Sequence, residues 1–392
     1  MIDFCKSPPE EFVFIRNLFC LWFNPEQATF DFDGLSGLDW QRIYELLEQH
    51  RLWAAADMFL DTEYASAVPP EYAERIHATY RSCCLQNLSI IGQLISLGKL
   101  LDAARIPFTV VKGPLLSVSI HGDINKRFSR DIDILVADSD ISRVHELMVE
   151  NGFIPCEQEG YARDSWIFWV GNKHLTYLNN NRFKIEIHTR LFLNPGLLNL
   201  SKIDPGKVYR EQEFSGHRFR VFQDDFAFLY LCVHGSAHLW FRLFWLADIC
   251  AWMSSRSPEQ LEGISRLAGR FGCKKAIHST FNFADYFSGR LECEEARKDL
   301  SRFGNIYIRS WMNEQRLLEP GRTLYERFQT KWSIYYARFF FSRGIRLWSR
   351  ELVRILFAPT QKEFRAVDLP GFFQSFYFVV RPFLLLKRAL LG

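Results

Sequence analysis

The chain has 392 residues, 48% of them hydrophobic and 24% charged, with a net charge of +3. That balance belongs to a globular protein with ample material for a core, and it excludes collagenous, low-complexity and small disulfide-scaffold classes. Charge is unevenly placed: residues 321–392 carry 13 Lys and Arg against 4 Asp and Glu, a net of +9, leaving 35 against 41, a net of −6, for the rest. The reading is a mildly acidic body with a basic, aromatic tail.

The N-terminus, Met1-Ile-Asp-Phe-Cys-Lys6, lacks a basic segment followed by an apolar one, so no signal peptide is expected. No uncharged apolar run is long enough to span a bilayer. The nearest, Phe372 to Val380, is stopped by Arg381 and Pro382. Nine cysteines, an odd number without a Cys-x-x-Cys pair, read as reduced thiols and predict a cytoplasmic protein.

Residues 1–105 form a helical segment. Leu85, Leu88, Ile91, Leu94, Leu97 and Leu101 recur at helical spacing, and Arg105-Ile-Pro107 ends the run. Residues 106–222 change character. Phe108-Thr-Val-Val111 is a β-branched strand stopping at Lys112-Gly113, and Asp131-Ile-Asp-Ile-Leu-Val136 alternates as a strand does. Asp138-Ser-Asp140 is expected to cap a helix over Ile141 to Asn151. Lys173 to Leu178 and Arg182 to Arg190 flank Asn179-Asn-Asn181 and predict a hairpin, and Glu213 to Phe222 predicts another strand or hairpin. Residues 223–300 are helical again: Asp224-Asp225 starts one helix, a second spans about Trp240 to Met253, and Ser257-Pro258 starts a third. Residues 301–392 form the basic aromatic helical region. The fold class expected is α+β, a small mixed β-sheet core between helical flanks.

Asp131 and Asp133 are the sharpest feature. Residues i and i+2 of a strand point to one face, and two carboxylates so close repel unless a cation lies between them. Mg²⁺ takes oxygen ligands from one or two carboxylates plus substrate phosphates. Glu186, in Phe183-Lys-Ile-Glu-Ile-His188, adds a third carboxylate opposite the flanking isoleucines and on the same face as His188. Such a trio suits two-metal phosphoryl transfer. A solvated strand edge with surface carboxylates is the plain alternative.

Val110-Val-Lys-Gly-Pro-Leu-Leu116, His121-Gly-Asp123, Arg127, Asp131-Ile-Asp133, Glu186-Ile-His188, His234, His238 and Arg242-Leu-Phe-Trp-Leu-Ala-Asp248 together resemble a bacterial nucleotidyltransferase family of the DNA polymerase β-like superfamily. The resemblance covers about Leu85 to Trp252. It implies transfer of a nucleoside monophosphate from an NTP to a hydroxyl or phosphate. Asp131, Asp133 and Glu186 would be the catalytic carboxylates and ligands of Mg²⁺ or Mn²⁺. Lys112, Gly113 and Arg127 would meet the phosphates. His188 is read as a general base or, preferably, as the neighbour that positions Glu186, and it is placed with the nucleotide-binding residues. His234 and His238 either line the nucleotide cleft or are structural. They lack the glutamate of a zinc helix, since position 235 is Gly. Asp248 is expected to orient one of these histidines or to pair with Arg242.

The expected acceptor is a small molecule, glycan precursor or peptide. Nucleotidyl modification of protein or RNA, of the AMP-adding or toxin–antitoxin kind, and a non-catalytic nucleotide-binding scaffold are the competing readings. Arg346, Arg350 and Arg354, beside an apolar stripe that includes Trp348 and Leu352, predict an amphipathic helix. Its basic face is either solvated or in contact with a membrane or other anionic surface.

Overall fold

The computed structural model describes residues 9–30, 32–156, 166–179, 182–194, 197–200, 204–238, 240–289, 345–367, 369 and 371–391. The chain divides into two compact units: Met1–Gln86 with Ser117–Phe128 and Phe228–Ser342, and Asn87–Leu116 with Ser129–Ala227 and Arg343–Gly392. The chain returns twice to the first unit. The whole 301–342 stretch lies outside the described residues.

The first unit is helical. Its helices are α1 (Glu10–Phe23), α2 (Phe32–Ser36), α3 (Trp40–His50) and α4 (Trp53–Phe59), followed by the first half of α5 (Pro70–Ala103). After α6 (Pro114–His121), α7 (Ile141–Glu150), α8 (Trp166–Gly171) and α9 (Asp224–Ala237), it is completed by α10 (Phe244–Ser254), α11 (Pro258–Arg270) and α12 (Lys274–Ser288). Aromatic side chains fill it: Phe14 packs edge-on against Trp40 and Phe59, and Phe228 stacks on Trp252. The Ser257-Pro258 start is a complete capping box with Gln260.

The second unit carries a seven-stranded mixed sheet. Its strands are β1 (Phe108–Val110), β2 (Asp131–Val136), β3 (Ile154–Pro155), β4 (His174–Leu178), β5 (Lys184–His188), β6 (Tyr209–Phe214) and β7 (His217–Phe222), in the order β3-β4-β5-β2-β1-β7-β6. The pairs β2–β5 and β1–β7 are parallel and the others antiparallel. The fold is α+β. Period-2 alternation decides what goes inside: Ile132, Ile134, Val136, Ile185, Ile187, Leu175 and Tyr177 form the core with Ile90, Leu94, Leu97 and Leu101 of α5 and Val144 and Met148 of α7. Among the described residues α5 alone is long and apolar enough to cross a bilayer by length and composition, yet this face of it is core.

The Glu213 to Phe222 expectation resolves into the β6–β7 hairpin. Ser215 and Gly216 both have positive φ, the two-residue turn whose twist suits a hairpin. Two expectations are corrected. Asp140 makes no side-chain cap to α7; its carboxylate pairs with Arg143 instead. The second late helix begins at Phe244 rather than Trp240, which has positive φ and lies buried before it.

Candidate active site

Parallel pairing of β2 with β5 sets Asp131 opposite Lys184 and Asp133 opposite Glu186. Antiparallel pairing of β4 with β5 sets Thr176 opposite Glu186 and His174 opposite His188. Because side chains alternate, Asp131, Asp133, Lys184, Glu186, His188, Thr176 and His174 share the face opposite the isoleucine core. The main chain just past β1 joins this edge, with Val111 N–H donating to the carbonyl of Asp133 at 3.0 Å. That brings Lys112 to the cluster, its Nζ 3.5 Å from Asp133 Oδ2.

Asp133 is 3% exposed. A carboxylate accepts only, so His188 Nε2–H donates to Asp133 Oδ1 at 2.8 Å. The same nitrogen lies 3.3 Å from Glu186 Oε2. His188 therefore bridges the two carboxylates on adjacent strands. Burial opposes ionisation of Asp133, but Lys112 and the His188 hydrogen bond outweigh it and hold its carboxyl well below the ordinary value. Burial likewise opposes ionisation of Glu186, and His188, His174 and an ion pair with Lys184 prevail, setting its pKa at about 2. Both carboxylates are charged at neutral pH.

Two residues of the cluster, Lys173 and His174, were not singled out in the sequence. Lys173 is half-buried beside Lys112, Asp133, Glu186 and Asp131, and desolvation lowers its pKa. His174 Nδ1 lies 3.8 Å from Glu186 Oε2 and is a buried atom with no hydrogen-bond partner. Burial lowers its pKa to about 4, so the ring is neutral. The hairpin pattern held the signal: pairing Leu178 with Lys184 around the Asn turn places residue 174 opposite 188.

The donor set fits a divalent cation. Asp131, Asp133 and Glu186 offer hard oxygen atoms on one face, suited to Mg²⁺. His174, Glu186 and His188 also converge, one ligand atom from each lying within 4.8 Å of the others, and imidazoles extend the set toward Mn²⁺ and other transition metals. The orphaned His174 Nδ1 is a further unspent donor. Gly113 follows Lys112 with φ +101, a conformation that side chains avoid, and Pro114 begins α6 immediately after it. The first N–H groups of α6 thus follow a turn that needs glycine.

The remaining expected residues lie in the helical unit. Arg127 is buried, its Nε donating to Asp248 Oδ2 at 2.9 Å with the guanidinium over the Phe244 ring. His121 Nε2 holds the other oxygen of Asp248 at 3.0 Å. Asp248 thus orients neither His234 nor His238, and its partner is not Arg242, whose guanidinium donates to the Gln49 carbonyl at 2.9 Å. The His234 and His238 rings meet each other at a tilt, centroids 4.7 Å apart, and both contact Trp245, His234 edge-on. The missing zinc-helix glutamate has a steric cause: a Cβ at position 235 would lie 2.3 Å from the buried Trp240 ring. Arg190 donates to the Trp169 and Asn172 carbonyls at the end of α8.

Residues 36–289 match the family described as "Uncharacterised nucleotidyltransferase". No curated protein matches the chain. Among solved structures, lincosamide antibiotic adenylyltransferase LnuA with lincomycin bound aligns at 11% identity and a TM-score of 0.25, covering 37% of this chain and 83% of its own. An antigenic nucleotidyltransferase-like protein from Paracoccidioides brasiliensis aligns at 14% identity and a TM-score of 0.32, covering 56% and 91%. The family match spans well over half of the chain, which belongs to this nucleotidyltransferase family.

Proposed function

We propose that the face formed by β2, β5 and β4 is a divalent-cation-dependent nucleotidyl-transfer centre that moves a nucleoside monophosphate from an NTP to a hydroxyl or phosphate acceptor. The observation that carries this reading is the register of β2 with β5, which sets buried, ionised Asp133 beside Glu186 on the face that also bears Asp131. In the reaction the acceptor oxygen forms a bond to the α-phosphorus, the bond to the bridging oxygen of the β-phosphate breaks, and pyrophosphate departs.

Asp131, Asp133 and Glu186 would hold Mg²⁺ or Mn²⁺, which supplies Lewis-acid polarisation of the α-phosphate and charge neutralisation of attacking and leaving oxygens. His188 fixes the orientation of two of these carboxylates. Lys112 meets the triphosphate as a point charge, and the Gly113 turn brings the α6 backbone close to a phosphate without a Cβ between them. Lys173 adds a third cation with Lys112 and Lys184, balancing three carboxylates before substrate arrives. Glu186, with a pKa of about 2, is a poor proton acceptor at neutral pH. Its role is therefore ligation and charge, and the acceptor's proton leaves to solvent or to the phosphates.

The test is transfer of label from α-labelled NTPs, with pyrophosphate release followed in parallel, against acceptors from small molecules to the protein itself. Wild type transfers one nucleotide in the presence of Mg²⁺ or Mn²⁺, and Glu186→Gln does so at a rate lower by about 10²-fold or more. Equal rates in both proteins would refute the assignment of this face.

A further inference from the structure

Residues 345–391, counted within the sheet-bearing unit, contain a helix with an exposed apolar face and buried arginine contacts. In the helix Tyr377–Leu391 and the 3₁₀ turn Gly371–Phe376 before it, Phe372, Phe376, Val379, Phe383 and Leu386 are exposed, Phe372 by 80% and Phe383 by 68%. Their spacing of four, three, four and three residues is one helical face. The opposite face carries the Tyr377 ring, buried edge-on against Phe364, and beside it two arginines turned toward the neighbouring helices. The Tyr377 hydroxyl donates to the Val367 carbonyl at 2.7 Å. Arg381 donates to the Ile355 carbonyl at 3.1 and 3.2 Å and to Glu363 Oε2 at 2.6 Å, and Arg388 reaches Glu363 Oε1 at 2.5 Å. A water-soluble helix ordinarily turns its apolar face inward and its charges outward.

The neighbouring helix, Ile345–Phe357, enlarges the apolar surface with exposed Leu352, Val353, Leu356 and Phe357. The Arg346 and Trp348 side chains lie outside the described ones. So many large exposed apolar side chains, on two packed helices, mark a surface that something covers. Charge identifies the occupant. Residues 345–391 carry eight Lys and Arg (346, 350, 354, 362, 365, 381, 387, 388) and three Asp and Glu (351, 363, 368), a net of +5. Glu363 is consumed internally by Arg381 and Arg388, and Glu351 by Arg354. Among the described side chains here, the exposed charges are Arg350, Lys362 and Lys387, all positive. A second copy of this face would meet it with like charge. An anionic bilayer supplies both an apolar interior for the phenylalanines and negative headgroups for the cations.

We propose that this two-helix face docks peripherally on anionic lipid bilayers, lying in the interface plane with Phe372, Phe376 and Phe383 in the acyl boundary. The test is flotation of the full chain with phosphatidylcholine vesicles and with vesicles containing about one third phosphatidylglycerol. Wild type binds the anionic vesicles, and binding falls as salt rises. Phe376→Asp/Phe383→Asp, changed only at exposed positions, keeps the wild-type melting temperature and binds on the order of a hundredfold more weakly. Arg350→Glu/Lys387→Glu binds more weakly than wild type and loses most of the salt dependence. Failure of wild type to bind anionic vesicles would overturn the proposal. So would undiminished binding by the Phe376/Phe383 variant, or reversible dimerisation of wild type that this variant abolishes.

Discussion

Each unit of this molecule buries a carboxylate between a cation and a histidine, and the two arrangements differ in how fully they are closed. In the helical unit Asp248 is 0% exposed, with Arg127 and His121 at 2.9 and 3.0 Å, one on each oxygen. In the sheet unit Asp133 is held by His188 at 2.8 Å, but its cation is a lysine 3.5 Å away. Lysine is a flexible point charge, whereas the guanidinium is a rigid donor stacked on Phe244. The first arrangement is saturated and suits a structural tie. The second leaves oxygen lone pairs and neighbouring carboxylates able to take another cation. Residue type alone does not separate these roles; the completeness of the hydrogen bonding does.

The comparison is sharpened most by removing each carboxylate in turn. Asp133→Asn is expected to cut nucleotidyl transfer on the order of 10³-fold while thermal melting stays near wild type, measured by pyrophosphate release and calorimetry on one preparation. Asp248→Asn is expected to do the opposite to stability. It leaves the Arg127 charge buried without its partner, at about 3–5 kcal/mol, read as a shift of the denaturant midpoint at unchanged slope.

A pH series distinguishes the two environments further. His174 has its pKa lowered to about 4 from an ordinary 6.5, so the folded state favours the neutral ring while the unfolded chain takes up a proton first. Its contribution is complete above pH 6.5 and is lost as pH falls toward 4. Glu186, lowered from 4.5 to about 2, contributes fully above 4.5 and loses that contribution as pH falls toward 2. Denaturant melts of metal-free protein should therefore weaken between pH 6.5 and 4, and His174→Gln should flatten that interval only. The smallest effect is expected at Lys112. Lys112→Met should weaken NTP affinity by roughly tenfold, the loss of one charge-assisted contact, with Lys112→Arg recovering part of it in the same titration.

Much of this site was legible before any coordinates. Alternation over Asp131-Ile-Asp-Ile134 put both aspartates on one face, and Ile185 and Ile187 oriented Glu186 away from the core. The pairing of β2 with β5 was not legible, since the parallel contact joins segments more than 50 residues apart and no local pattern encodes it. His174 and Lys173 were accessible through hairpin register but carry no motif of their own. The partner of Asp248 was misread because proximity in sequence favoured Arg242 and His234, while the contact is with Arg127, 121 positions away. The two-residue β3 and six-residue α8 are too short for periodicity to reveal.

The central claim is that the β2–β5 carboxylates form a cation-dependent nucleotide site. Its most direct test is isothermal titration of ATP, GTP, CTP and UTP, with and without Mg²⁺, into wild type and Asp131→Asn/Asp133→Asn protein. The account predicts that at least one NTP binds wild type only with Mg²⁺ and that the double variant, folded as judged by its melting curve, does not bind it. Equal Mg²⁺-dependent binding by both proteins, or no NTP binding by wild type, would contradict it.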